Sequence, residues 1–182
     1  MPDALTPLPD QLIEAVTWHD EQTRAKRVDR MRWSSSLKPE AGLVFGKPEP
    51  LAVLEDARAS FVNEYYVAAI MTATAYIDHA LGTLLSRRKF KPQENTLSAR
   101  IRAARRKKIL TKDVLNRIDT LRKIRNPFAH EMPSDHPMNL GNRVQSEARH
   151  PQAILEDDAK EALTLMYVVY AETLMKVKLS TS

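Results

Sequence analysis

The chain has 182 residues, 43% hydrophobic, 28% charged and 6% aromatic, which is enough apolar material for one ordinary core without disulfides or a structural metal. It contains no cysteine, which excludes a disulfide framework, a thiolate nucleophile and a cysteine-ligated zinc. The net charge of +5 is uneven: Arg87 to Arg125 holds fifteen lysines and arginines against Glu94, Asp113 and Asp119, so the remainder is acidic.

Four glycines against eleven prolines leave little material for hairpin turns, and the expectation is an all-α fold. The opening residues, Met1-Pro2-Asp3-Ala4-Leu5-Thr6, lack the basic start and apolar run of a secretion signal. The longest apolar stretch, Val67 to Ile77, is too short to span a bilayer. A cytoplasmic protein without a membrane partner is expected. Asp10 is placed to cap a first helix that ends near Trp33 and carries Leu12, Ile13 and Val16 on one face. Ser34 to Pro50, with prolines, glycines and serines, reads as an extended connection whose Leu43, Val44 and Phe45 dock as an apolar plug. This divides the chain into residues 1–50, an N-terminal helix and connection, and residues 51–182, a helical bundle.

From Leu51 to Arg88 no proline occurs, and Leu54, Ala57, Phe61, Ile70, Ile77, Leu81, Leu84 and Leu85 recur at helical spacing. The pattern predicts one long helix, or two in line with a bend near Asn63 or Glu64. Tyr65, Tyr66 and Tyr76 read as core residues with their hydroxyls at the rim. A basic helix follows from Thr96 to Lys108, with Leu97, Ile101 and Ala104 inward and Arg100, Arg102, Arg105 and Arg106 outward. Thr111 can cap the next helix, whose Val114, Leu115, Ile118, Leu121 and Ile124 make a regular stripe. Glu131 to Pro151 reads as a long loop, and a last helix runs from Ala153 to Lys178.

Pro127 interrupts the strongest helical pattern three residues before a histidine, in Ile124-Arg125-Asn126-Pro127-Phe128-Ala129-His130. On a regular helix, residues five apart point about 140° away from each other. If Pro127 breaks the ladder, Asn126 caps a fresh turn and the Arg125 guanidinium and His130 imidazole converge on one spot. The alternative is that Arg125 is surface charge and His130 a cap or core residue. Asp78, an acid on an apolar helix, must face a polar cleft or bridge to an arginine, because burying it alone is costly.

The string from Arg125 to His130 resembles the Arg-Asn-x-x-x-His motif of the HEPN superfamily of helical domains. The segment from Leu97 to Ile124 is similar to the corresponding part of the mannitol operon repressor branch, and the helix from Tyr66 to Leu85 looks like the preceding core helix. The resemblance implies a bundle of four to five helices, here with an N-terminal helical extension, and a homodimer with two motifs facing one cleft. In nuclease members the motif cuts RNA without a metal or other cofactor. Arg125, His130 and Asn126 are then the candidate catalytic residues: neutral His130 takes a 2′-hydroxyl proton, Arg125 neutralises charge on the phosphate, and Asn126 caps the turn or binds phosphate. Arg102, Arg105, Arg106, Lys123 and Asp78 are the candidate substrate-binding residues, since a local excess of positive charge attracts a polyanion. Two functions follow from the resemblance. One is a metal-independent endoribonuclease of toxin or defence type, with an antitoxin as protein partner. The other is a non-catalytic regulator or adaptor resembling the mannitol operon repressor.

Overall fold

Residues 10–39 and 49–174 are described by a computed structural model of the chain. They form seven helices and no strand: α1 (Asp10–Ser36), α2 (Glu49–Val62), α3 (Tyr66–Arg87), α4 (Leu97–Arg106), α5 (Lys112–Ala129), α6 (Leu140–Glu147) and α7 (Pro151–Thr173). The all-α expectation holds. Among the described residues no helix is long and apolar enough to cross a membrane.

The core is built on α3, which is apolar or small nearly all round. Ala69, Ile70, Ala73, Ile77, Ala80 and Leu81 are all buried, and the alanines leave room for α7, which packs along α3. The two helices run parallel. At one end Tyr66 shares a concavity with Gln152, Ala153 and Glu156; at the other the Arg87 guanidinium donates to the Thr173 carbonyl at 2.9 Å. A parallel pair needs a crossover, and α4, α5 and α6 supply it. Burial pushes the phenols of Tyr66, Tyr76 and Tyr167 up to about 12. Tyr65 is the exception to the core expectation: it is exposed, because it lies in the turn between α2 and α3.

That turn corrects the expectation of two helices in line. The break falls at Asn63–Tyr65 as predicted, but α2 packs back along α3. Glu64 takes the left-handed conformation (φ 65°), the Tyr65 N–H donates to Ser60 C=O and the Glu64 N–H to Phe61 C=O. This is a Schellman closure, which reverses the chain while satisfying orphan carbonyls. The same closure ends α3, with Lys89 at φ 54°, and α4, with Lys108 at φ 50°. Glycine is the usual residue there because a Cβ in this region costs about 1 kcal/mol. Lys108→Gly is therefore expected to raise the melting temperature by about 2 °C, read in a thermal melt, since about 1 kcal/mol moves a domain of this size by 2–4 °C and glycine returns some of it as chain entropy.

At the N-terminus α1 continues to Ser36, three residues past the expected end. Its C-terminal turns are fastened to α2: Trp33 packs at a tilt against buried Phe61 with ring centroids 5.0 Å apart, and Arg30 donates to Val62 C=O at 2.9 Å and pairs with Glu64 at 2.7 Å. Its N-terminal half stands away from the bundle, with Leu12, Ile13, Val16 and Trp18 all exposed. The expected plug, Leu43, Val44 and Phe45, lies outside the described residues.

The long loop expected over Glu131–Pro151 contains α6. No apolar stripe announces this helix; it is held by Arg143, which grips Asp158 of α7 through two hydrogen bonds of 2.5 and 3.0 Å. The last helix begins at Pro151, where the His150 ring nitrogen caps it by accepting from Gln152 N–H at 3.2 Å.

Candidate nucleic-acid interface and the Arg125–His130 end of helix α5

Helix α5 starts with the expected cap, Thr111 accepting from Val114 N–H at 3.3 Å. Leu115, Ile118 and Leu121 are buried. Arg125 follows Ile118 and Leu121 at spacings of seven and four, so it continues the inward stripe at the end of the helix. The residue is accordingly half-buried. Arg125 has no hydrogen-bond or ion-pair partner among the described residues. Most other arginines do: Arg100 pairs with Asp78, Arg117 with Glu161, Arg122 with Asp119, Arg143 with Asp158. A cation on the core side of a helix with no anion beside it is an unbalanced charge.

The expected break at Pro127 does not occur. α5 runs through it to Ala129, and the His130 N–H still donates to Asn126 C=O at 2.9 Å. Proline removes only its own N–H, and in the last turn one missing bond is tolerated. Asn126 therefore does not cap a fresh turn; it is a half-buried helical residue whose carbonyl closes the helix. Arg125 and His130 are brought to the same helix end but no hydrogen bond joins them. His130 is exposed, and its extended backbone (φ −142°, ψ 149°) takes the chain out of the helix. The other histidines of this region have local work: His136 accepts from Met138 N–H and His150 from Gln152 N–H. Among the described residues no group of three His, Asp or Glu is placed to hold a metal ion.

The candidate substrate-binding residues fall in separate places. Arg102, Arg105 and Arg106 share the exposed face of α4, along a groove bordered by Phe90 to Glu94. Arg102 lies 3.5 Å from Glu94, Arg105 donates to Asn116 at 2.9 Å, and Arg106 lies over the Phe90 ring at 5.3 Å. Arg100, expected outward with them, is turned inward instead. It bridges to Asp78 at 2.5 Å, hydrogen-bonds Asn95, and lies across the open side of Gly82. Asp78 thus takes the arginine bridge, with its other carboxylate oxygen buried and unpaired. Lys123 is on α5, 3.3 Å from Asp119.

Asp119 restrains both Arg122 and Lys123 one turn before Arg125. Partial burial pushes its pKa up, but hydrogen bonds from Arg122 and then Lys123 outweigh this and hold it below 3.8. A carboxyl depressed on folding stabilises the fold fully above its unfolded value, and the contribution fades as pH falls through the folded one. The stability difference between the protein and Asp119→Asn is therefore expected to favour the protein at pH 6 and to shrink at pH 3, measured by urea unfolding.

Phe90 is the residue that the sequence reading passed over. Its signal was available, since no other aromatic lies between Arg87 and Arg125. No family model, curated protein or solved structure matches the chain.

Proposed function

We propose that the protein binds RNA and cleaves it without a metal ion at Arg125 and His130, in a cleft completed by a second copy of the chain. The observation that carries this reading is that Arg125, half-buried and without a hydrogen-bond or ion-pair partner among the described residues, lies at the same helix end as the exposed His130. An unpaired cation at the edge of a core suits an anion brought by a ligand, and a phosphodiester supplies one. His130, with no competing hydrogen bond among the described residues, is open to take the proton of a ribose 2′-hydroxyl. That oxygen then attacks the adjacent phosphorus as the bond to the 5′-oxygen breaks; the 5′-oxygen leaves as a hydroxyl with a proton from water, and a 2′,3′-cyclic phosphate remains. The Arg–Asn–x–x–x–His resemblance supports the same assignment.

The test is incubation of the protein in EDTA with an RNA and with its all-2′-deoxy counterpart. Cleavage of the RNA alone, with cyclic phosphate ends, is the expected result, and an RNA left intact overnight overturns the reading. One observation favours a regulator or adaptor instead: α5 runs straight through Pro127, leaving Arg125 and His130 without a mutual hydrogen bond. An intact RNA together with retained RNA binding selects that second function.

A further inference from the structure

A basic groove crosses the α3–α4–α5 side of the molecule, about 14 Å or more along α5 from Arg125. It consists of three successive concavities of about 810, 790 and 500 Å³; the first two share the wall Phe90–Glu94 and the last two share Arg105. Lys89, Lys91, Arg102, Arg106, Lys108 and Lys112 line it, and Glu94 is the only acid among the described residues of its wall.

Two features separate this groove from an ordinary solvated surface. Lys89 and Lys108 both occupy left-handed positions at helix ends, where glycine is more stable. Neither has an ion-pair partner among the described residues, so each forgoes stability while presenting a free ammonium at the groove. The second feature is Phe90. Its N–H is fixed to Leu85 C=O by the closure of α3, and its ring carries Lys107 Nζ at 4.8 Å and Arg106 Cζ at 5.3 Å from the centroid. A base can stack on an aromatic ring anchored on a rigid turn by displacing one of the two mobile cations that lie over it, and the displaced cation then meets the base's phosphate.

We propose that this groove is a track for single-stranded nucleic acid, with Phe90 as a base-stacking platform and Lys89, Lys91, Arg105 and Lys108 on phosphates. The proposal rests on the nucleic-acid reading above and gives the strand a place outside the Arg125–His130 end. The concave shape and the ring favour a strand over a flat anionic lipid surface or an acidic peptide, neither of which stacks. The groove follows α4, about 15 Å long, which matches about four nucleotides at the ~3.4 Å rise of a stacked strand.

The test is fluorescence polarisation of labelled twelve-nucleotide oligo-U and oligo-dT with the full chain between 50 and 200 mM salt. Both are expected to bind, because stacking and phosphate contact do not need the 2′-hydroxyl, with log affinity falling against log salt at a slope of about −3 for about four phosphates. Phe90→Ala is expected to weaken binding about tenfold and Phe90→Trp to retain it. The double variant Lys89→Gly, Lys108→Gly is expected to lose affinity and flatten the slope by about 1.4 while its melting temperature rises. Unchanged affinity in that stabilised variant and in Phe90→Ala overturns the proposal, as does displacement by polyglutamate as effective as by oligo-U. Oligo-dT offers no 2′-hydroxyl, so its binding stands even where RNA is left intact. RNA cleavage at the normal rate by Phe90→Ala sinks the groove and spares the Arg125–His130 site.

Discussion

His130→Ala and Arg125→Ala are each expected to lower RNA cleavage by about a hundredfold or more, with the fold retained. The imidazole is exposed and hydrogen-bonds nothing among the described residues, so truncating it removes the proposed general base and little else. A surface change of this kind costs within about 0.5 kcal/mol of stability. Arg125 behaves differently in one respect. Removing a half-buried cation that has no partner relieves an unbalanced charge, so Arg125→Ala is expected to melt no lower than the unaltered protein while cleaving far less. Cleavage rates read beside thermal melts separate the two roles. A variant that keeps its rate and loses several degrees assigns these residues to the fold.

How far this was legible beforehand differs by element. The stripes of α3, α5 and α7 were readable because the helical period and the burial pattern coincide: Ile70, Ile77, Leu81, Ile118, Leu121, Leu163 and Met166 are all core. The cap Thr111 was readable because a hydroxyl before an amphipathic run has one usual use, whereas Thr96, expected as the first helical residue, is the cap of α4 instead. The reversal at Glu64 was not readable as a reversal, since left-handed turns are announced by glycine and the described residues make them with Glu64, Lys89, Lys108 and Ala148. α6 was hidden because the Arg143–Asp158 pair and one apolar residue, Leu140, hold it rather than a repeated stripe. At the site, the residue types of the motif were visible, whereas the straight path through Pro127 depends on how near it lies to the helix end. The inward turn of Arg100 depends on Asp78 being a neighbour in space, which spacing along the chain does not reveal.

Asp158→Ala is expected to cost about 3 kcal/mol, lowering the melting temperature by about 6–12 °C. Asp158 is buried, its side chain only 8% exposed against 14% for Arg143. Two hydrogen bonds bind them, and the bond to Asp158 raises the Arg143 pKa above its usual value. Removing the carboxylate strands a guanidinium between α6 and α7, leaving Glu147 as its remaining anion. Uncompensated burial, rather than the worth of the pair, sets the size of the loss. The double variant Arg143→Met, Asp158→Leu is therefore expected to regain most of it, because apolar side chains of similar volume fill the site without desolvating a charge. A single variant that melts within about 2 °C of the unaltered protein contradicts this account.

Helix α1 has the mechanics of a lever. It is 27 residues long, about 40 Å at 1.5 Å per residue, and is pinned near its C-terminal end by Arg30, Trp33 and Ser35 against α2. From Arg30 to Asp10 the arm measures about 30 Å, so a tilt of about 10° at the pin sweeps its outer end through about 5 Å. Such a tilt would carry Leu12, Val16 and Trp18 through an arc several times larger than the displacement at the pin, with the bundle core left closed.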